Sequence, residues 1–244
     1  MGKVRATNIE PEGATTNMTI SGTTATFAST ETRANTFKDA GSNVLWTSDG
    51  AGTLSSVNSG LAGGGWTLIS TTTAVGQASI AITANIDNTY DEYVFVFTDV
   101  NPATDQTYFS FQCSTDGGST YATNMTTTAY RGMWYESSNS GDLAYLGNSD
   151  SGASPWTGYQ WLFDNNQQGN GADECMAGIL HLFSPSNTTY ATKWLATTVG
   201  YSFDNIAANN YWSGYFDDAA AINAISFKQS SGNVDAVIQM YGVG

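Results

Sequence analysis

From Trp66 onward the chain alternates between short apolar segments and clusters of Gly, Asn, Asp and Ser. The apolar segments are rich in β-branched and aromatic residues, which favour strands, and the clusters between them are typical of turns. Predicted strands cover residues 65–71, 78–85, 92–100, 107–115, 127–136, 142–148, 174–185 and 189–199, and two more flank a turn at 230–233. This pattern predicts an all-β fold with a jelly-roll-like β-sandwich. The sequence has no repeat of fixed length, which argues against a propeller or a solenoid.

Residues 1–62 differ from the rest because they are rich in Thr, Ser and Asn and have few large apolar side chains. Segments 17–27 and 43–57 are each predicted as a hairpin, and segment 29–41 between them is a candidate for a short helical turn. So few large side chains do not make a robust core for a small unit. We therefore expect a small β-rich attachment or stalk region over 1–62, a glycine hinge at 63–65 and a sandwich head domain over 66–244.

The segment Tyr93–Phe97, with the sequence YVFVF, is apolar at every position. A half-buried antiparallel strand alternates between apolar and polar residues, so this one needs cover on both faces. It is predicted to lie either centrally between two layers or at a subunit interface. Together with the thin N-terminal region, it leads us to expect a homotrimer.

The charge balance excludes several partners. The chain has 21 acidic and 7 basic residues, a formal net charge of −14. Nucleic acids and anionic membranes are bound by clusters of Lys and Arg, so we expect neither as a partner. No apolar run approaches the ~20 residues of a membrane span, and the first residues lack the apolar segment of a secretory signal. Cys113 and Cys175 both lie in apolar stretches, where a free buried thiol is favoured over a disulfide, although a pairing stays open.

Residues 114–121, STDGGSTY, match the Asp-box of sialidases and related propellers, Ser-x-Asp-x-Gly-x-Thr followed by an aromatic residue. Physically this motif is a turn, because the Asp carboxylate accepts hydrogen bonds from its own backbone and the glycines adopt positive φ. Sialidases also hold the substrate carboxylate with several arginines, and only Arg131 follows the hinge. We therefore predict a turn and not a catalytic site.

The remaining chemistry-bearing residues also favour structural roles. Alternation places His181 on the strand face opposite to Leu180 and Leu182, and a single histidine cannot form a multi-histidine metal site. Acidic residues are scattered over strand ends and loops without the facing pair that glycoside hydrolysis needs. We predict no catalytic residue, no metal and no cofactor.

Segment 164–174 approaches the pattern of a calcium loop. Asp164, Asn166 and Gln168 occupy alternating ligand positions and Gly169 follows them. The bidentate position at the end of such a loop falls on Cys175, with Glu174 one place early. A plain loop is therefore favoured, and calcium binding between Asp164 and Glu174 stays open.

Segment 149–172 is long for a connection between strands, and long loops are often functional. It carries three aromatic residues beside several amides, and the predicted receptor- or glycan-contact residues are Trp156, Tyr159, Trp161, Asn165 and Asn166. Aromatic faces with amide side chains suit an uncharged sugar or a flat protein patch. The alternative is that these aromatics pin the loop to the sandwich or fill a trimer seam.

Two stretches resemble known proteins. VLWTSDGAGTLSSV (44–57) resembles a segment common in phage tail-fibre and appendage proteins, Val-Leu followed by Ser-Asp-Gly-x-Gly-x-Leu. Residues 65–244 resemble a family of phage virion structural proteins, with GWTLIST, YDEYVFVFTDVNPATD, FSFQCSTDGGSTY, LHLFSPSNTTY and AINAISFKQSSGNVDAVIQMYGV in that order. The resemblance implies a virion surface protein, usually trimeric, with a β-sandwich head. It carries over no catalytic residue.

On this basis we expect a non-enzymatic phage virion structural protein, most simply a trimeric tail-fibre or appendage protein that contacts the host surface. It would be made in the host cytoplasm, reach the outside by lysis, join other virion proteins through residues 1–62, and bind a host glycan or protein. One alternative is a capsid decoration protein, and another is a virion enzyme that degrades polysaccharide.

Overall fold

The computed structural model describes residues 36–38, 44–48, 54–57, 65–147, 157–163 and 167–244. The chain divides into two compact units, Met1–Gly63 and Gly64–Gly244. The predicted glycine hinge at 63–65 and the predicted hairpin at 17–27 lie wholly or mostly outside the described residues.

The described part of the first unit is an antiparallel sheet of three strands in the order β1-β2-β3. These strands are β1 (Thr36–Lys38), β2 (Val44–Ser48) and β3 (Leu54–Val57). Strands β2 and β3 confirm the hairpin predicted over 43–57. Within segment 29–41, considered for a short helical turn, Thr36–Lys38 is a strand that pairs with β2, with Phe37 opposite Trp46, and the rest of the segment lies outside the described residues. Thr and Phe favour strands, and the neighbouring strand supplies hydrogen-bonding partners.

The described part of the second unit forms two antiparallel sheets, which confirms the all-β sandwich. The larger sheet has eight strands in the order β4-β15-β6-β11-β12-β13-β8-β9, and the smaller has four in the order β10-β7-β14-β5. Their bounds are β4 (Thr67–Gln77), β5 (Ile80–Ile82), β6 (Glu92–Pro102), β7 (Phe109–Ser114), β8 (Met125–Tyr135), β9 (Ser140–Tyr145), β10 (Gln160–Trp161), β11 (Met176–Phe183), β12 (Lys193–Tyr201), β13 (Ile206–Phe216), β14 (Ala224–Gln229) and β15 (Val234–Val243).

Aromatic rings from both sheets meet in the core. Phe227 of β14 lies at the centre, with ring centroids 5.7 Å from Phe95 and 5.2 Å from Phe97 of the larger sheet. Its ring also lies parallel to that of Phe109, at 5.9 Å. All four side chains are buried. The two sheets are therefore joined through a packed aromatic cluster, the arrangement that alternating inward positions produce in a sandwich.

The doubly apolar strand lies third in the larger sheet as part of β6, so it is an internal strand of that sheet, and the smaller sheet packs on one of its two sides. Its inner side enters the core through Tyr93, Phe95 and Phe97. On the outer side Val94 is fully buried, and its direct strand partners are His181 and Tyr241. The Trp66 ring lies against both partners, at centroid distances of 6.1 and 5.6 Å. Side chains of the chain itself therefore flank Val94.

One long strand was not predicted. Strand β13 (Ile206–Phe216) pairs with β12 along its length and with β8 on its other side. Its inward positions include Ala208, Asn210 and Gly214, which are small or polar and hide the alternation in the sequence. Trp194 and Trp212 are buried, whereas Trp66 and Trp134 are about half exposed.

Candidate functional site

Of the predicted contact residues, Trp161 lies on the smaller sheet and Tyr159 immediately precedes its strand β10. Trp156, Asn165 and Asn166 lie outside the described residues. Trp161 belongs to β10, which pairs with β7, so that Trp161 lies opposite Ser110 and Ser110 lies opposite Lys228. The segment that was predicted as a loop therefore becomes an edge strand at this point.

Both aromatic residues have a partner that sequence reasoning missed. The Trp161 ring stacks on Tyr108 at a centroid distance of 3.9 Å and an interplanar angle of 5°. The Lys228 ammonium lies 4.1 Å from the centroid of the Tyr159 ring, a cation–π contact. We call Tyr108, Tyr159, Trp161 and Lys228 the β10 cluster. One face of each predicted aromatic is thus already occupied, and Trp161 also packs against the hydrophobic core, as the alternative of a segment pinned to the sandwich expects.

Buried amides hold the β10 cluster on the sheet. The Gln112 side chain donates to the carbonyls of Thr157 and Gly158 at 3.2 and 2.8 Å. Gln160 is buried, and its side-chain oxygen accepts from the Thr127 hydroxyl at 2.9 Å. A contact surface that is fixed in this way loses little conformational entropy when it binds.

In segment 164–174, one side chain that was considered as a calcium ligand is engaged elsewhere. Gln168 is fully buried: its side-chain nitrogen donates to the Val100 carbonyl, and its side-chain oxygen accepts from Gln229 at 3.0 Å. Glu174 accepts from the Gly171 amide within the same loop at 2.7 Å. Gln168 is therefore a core residue and not a calcium ligand. Among the described residues, His, Cys, Asp and Glu form no group of three or more that could hold a metal ion.

The Asp-box motif is a turn, as predicted. The Asp116 carboxylate accepts from the Ser114 hydroxyl at 2.6 Å and from the Thr120 amide at 2.8 Å. Gly117 and Gly118 have φ values of 75° and 88°. The hydrogen bonds from Ser114 and Thr120 lower the pKa of the Asp116 carboxyl below its usual value.

A depression of about 300 Å³ beside this turn is lined by both Asp116 and Asp218. Two carboxylates in one depression raise the question of glycoside hydrolysis, which needs a protonated acid with a raised pKa. The pKa of Asp116 is shifted in the opposite direction, and its carboxylate is already engaged by the turn. This depression therefore does not support the role of a general acid for Asp116.

His181 has a structural environment, as predicted. Leu180 and Leu182 point into the core, and the Nδ1 atom of His181 hydrogen-bonds the Glu92 carboxylate on the outer side of the larger sheet. Cys113 and Cys175 are free thiols, which agrees with the favoured interpretation, and burial raises the pKa of the Cys113 thiol well above its usual value.

A second surface, not anticipated from the sequence, lies on the larger sheet. Eight large apolar side chains on β12, β13, β8 and β9 are exposed on the side opposite to the core. We call this set the outer face; its members are Leu195, Val199, Tyr211, Tyr215, Tyr130, Trp134, Leu143 and Tyr145. The described residues contain no helix that is long and apolar enough to span a membrane.

Comparisons with protein-family models, with curated proteins and with solved structures found no match.

Proposed function

We propose that this protein is a non-enzymatic structural protein of a phage virion, of the trimeric tail-fibre or appendage type, whose sandwich head contacts the host surface. The observation that carries the proposal is the β10 cluster, an aromatic surface held on a rigid sheet edge by buried amides. The resemblance of residues 44–57 and 65–244 to phage virion proteins supports the same class.

The chemistry of the cluster favours an uncharged ligand. The net charge of −14 repels anionic glycans, while Lys228, the one cationic member of the cluster, is turned onto the Tyr159 ring. Partly exposed aromatic rings such as Tyr159 and Trp161 suit a neutral sugar or a flat protein patch. A neutral host glycan or an outer-surface protein is the proposed partner, and residues 1–62 are proposed to join other virion proteins.

The non-enzymatic part of the proposal is supported by the Asp-box turn. Its carboxylate stabilises the turn and has a lowered pKa, whereas a glycosidase acid needs a raised one. Release of reducing ends from host polysaccharide by the purified protein would contradict this part and favour the degrading enzyme.

The contact site is tested by binding of the labelled full chain to host cells. Tyr159→Ala and Trp161→Ala should each weaken attachment, whereas Tyr190→Ala, at a well-exposed tyrosine outside the cluster, should not. Trp161→Ala removes one stacked pair, worth about 0.5–1.5 kcal/mol, and also packing of the ring against the core, so its melting temperature should fall and Tyr159→Ala carries the cleaner test. Its melting temperature is measured alongside binding. Unchanged attachment of both cluster variants would refute the site.

The virion assignment needs a separate experiment. Antibody labelling of phage particles in the electron microscope should mark the tail or an appendage. Label spread over the capsid would favour a decoration protein, and particles that carry no label would refute the virion assignment altogether.

A further inference from the structure

The outer face is larger than a folded monomer usually leaves uncovered. Its eight side chains range from 36% exposed at Tyr211 to 75% exposed at Leu143. At roughly 100 Å² each, they present about 800 Å² of apolar surface. The largest apolar patch of a typical monomer is about 300–600 Å², and a standard protein interface buries about 800 Å² on each partner. The area therefore suits a protein partner of substantial size.

The outer face carries no charge at its centre. Between the apolar side chains, the outward positions of these strands hold Thr126, Thr128, Thr197, Asn209 and Ser213. Among the described residues, the charged groups beside it stand at its margins. Lys193 lies at the start of β12, and Glu136 lies in the turn after β8, where it accepts from the Tyr201 hydroxyl. Asp217, after β13, accepts from the Thr126 hydroxyl, and Glu92 hydrogen-bonds His181, which is the strand partner of Leu195. A chain of net charge −14 is repelled by another copy over most of its surface. A large uncharged face is where two copies can approach each other.

The ring geometry favours a protein over a sugar at this surface. Tyr130 and Tyr211 are direct strand partners whose rings stack at 4.8 Å with an interplanar angle of 10°. Tyr145 lies opposite Tyr130 on the other side. Tyrosines stacked across strands turn their faces toward each other, so their edges and hydroxyls project outward. A sugar ring stacks on an open aromatic face, whereas edges and hydroxyls suit the mixed surface of a protein interface.

The outer face has a depression at one side and a protrusion at the other. Centred on β12 and β13 it holds a shallow, mainly apolar depression of about 410 Å³, whose lining includes Phe183, Lys193, Leu195, Ser213 and Tyr215. On the edge strand β9, three strands from β12 and thus about 14 Å from it, the more exposed Leu143 and Tyr145 protrude. A protrusion and a depression on one face fit a head-to-tail contact, and such contacts can close into a ring.

We propose that the outer face is the contact between copies of this chain, with Leu143 and Tyr145 of one copy seated in the depression beside Leu195 of the next. The assignment rests on the homo-oligomer of the proposed function, and it places the seam on β12, β13, β8 and β9. The doubly apolar strand Tyr93–Phe97 is not part of it.

The test is the mass of the purified full chain by light scattering. The wild type should assemble, with a ring of three giving three times the 25.8-kDa chain mass. Leu143→Glu and Leu195→Lys should each raise the dissociation constant about 30-fold or more, the effect of losing an interface hot spot. The double variant Leu143→Glu/Leu195→Lys should assemble again, because each contact then joins opposite charges.

A matched control is Val75→Glu, at an equally exposed apolar residue on the opposite edge strand β4, which should leave the mass unchanged. If one single variant fails to fold, as judged by circular dichroism, the other single variant carries the test. A monomeric wild type at micromolar concentration would overturn the proposal, as would assembly that both single variants leave intact. A monomer that loses sugar binding through Leu143→Glu would show that the occupant is a glycan.

Failure of this contact and failure of the proposed function give different experimental results. A chain that assembles through this face but is absent from phage particles refutes the virion assignment and leaves the seam in place. A chain that labels virions but stays oligomeric in both single variants keeps the virion assignment and refutes the seam.

Discussion

Phe227 is the side chain through which the two sheets should depend on each other most. It is fully buried and contacts the rings of Phe95 and Phe97 on one sheet and of Phe109 and Phe111 on its own. Phe227→Ala removes this ring from the centre of the core, where neighbours from both sheets limit collapse. We expect a loss of about 3–5 kcal/mol in the free energy of unfolding, the usual cost of truncating a core phenylalanine.

A volume-conserving variant separates shape from aromatic contact. Phe227→Leu keeps most of the packed volume and loses the ring pairs, which contribute about 0.5–1.5 kcal/mol each and do not add fully. We expect a loss of about 1–2 kcal/mol. The matched control is Leu68→Ala on β4, where the side chain is half exposed, and its cost should stay below about 0.5 kcal/mol.

The measurement is urea unfolding at one fixed protein concentration, because association would otherwise shift the midpoint. Thermal unfolding gives a second readout, and a domain of this size loses about 2–4 °C of melting temperature per kcal/mol. A cost below about 1 kcal/mol for Phe227→Ala, with an unchanged denaturant slope, would refute the packing of the two sheets through this ring.

Two further predictions concern polar side chains. Gln168→Leu should lower the free energy of unfolding by about 1–3 kcal/mol in urea, because it leaves the Val100 carbonyl and the Gln229 amide without their buried partner; a neutral effect would contradict the buried network. The lowered pKa of Asp116 means that its charged form is stabilised by folding, so its contribution is present above pH 3.8 and is lost as the pH falls through the folded-state value. Asp116→Asn should therefore be less stable than the wild type at neutral pH, and the difference should shrink in unfolding experiments below pH 3.8; a constant difference would show that the charge is not the cause.

Local sequence was enough to predict the fold class and most strands. Alternating apolar residues bounded by turn signals mark β8, β11 and β15, and the turn at 114–121 follows from Asp116 and its glycines. These features depend on neighbours along the chain, since a strand has a period of two residues and a turn needs particular residues at particular positions. Strand β13 was not predicted, because Gly214 occupies an inward position and interrupts the apolar alternation. A Cβ at this position would lie 2.9 Å from the Trp194 ring. Glycine is therefore required by a side chain on another strand and not by its own segment.

The candidate surfaces depended on register and layering. Tyr159 and Trp161 were visible in the sequence, but Tyr108 and Lys228 join them only because β7 lies between β10 and β14. Gln168 fits a ligand pattern in the sequence, yet the packing of its segment onto the smaller sheet buries it.

The outer face also depends on layering that the sequence does not reveal. Alternation within each strand reveals which side chains share a side, and this much the amino-acid sequence determined alone. Which side receives a second layer is decided when the sheets pack, because the smaller sheet covers only one side of the larger. Tyr130, Tyr211 and Leu195 are therefore exposed for a reason that lies in the tertiary structure and not in their own segments.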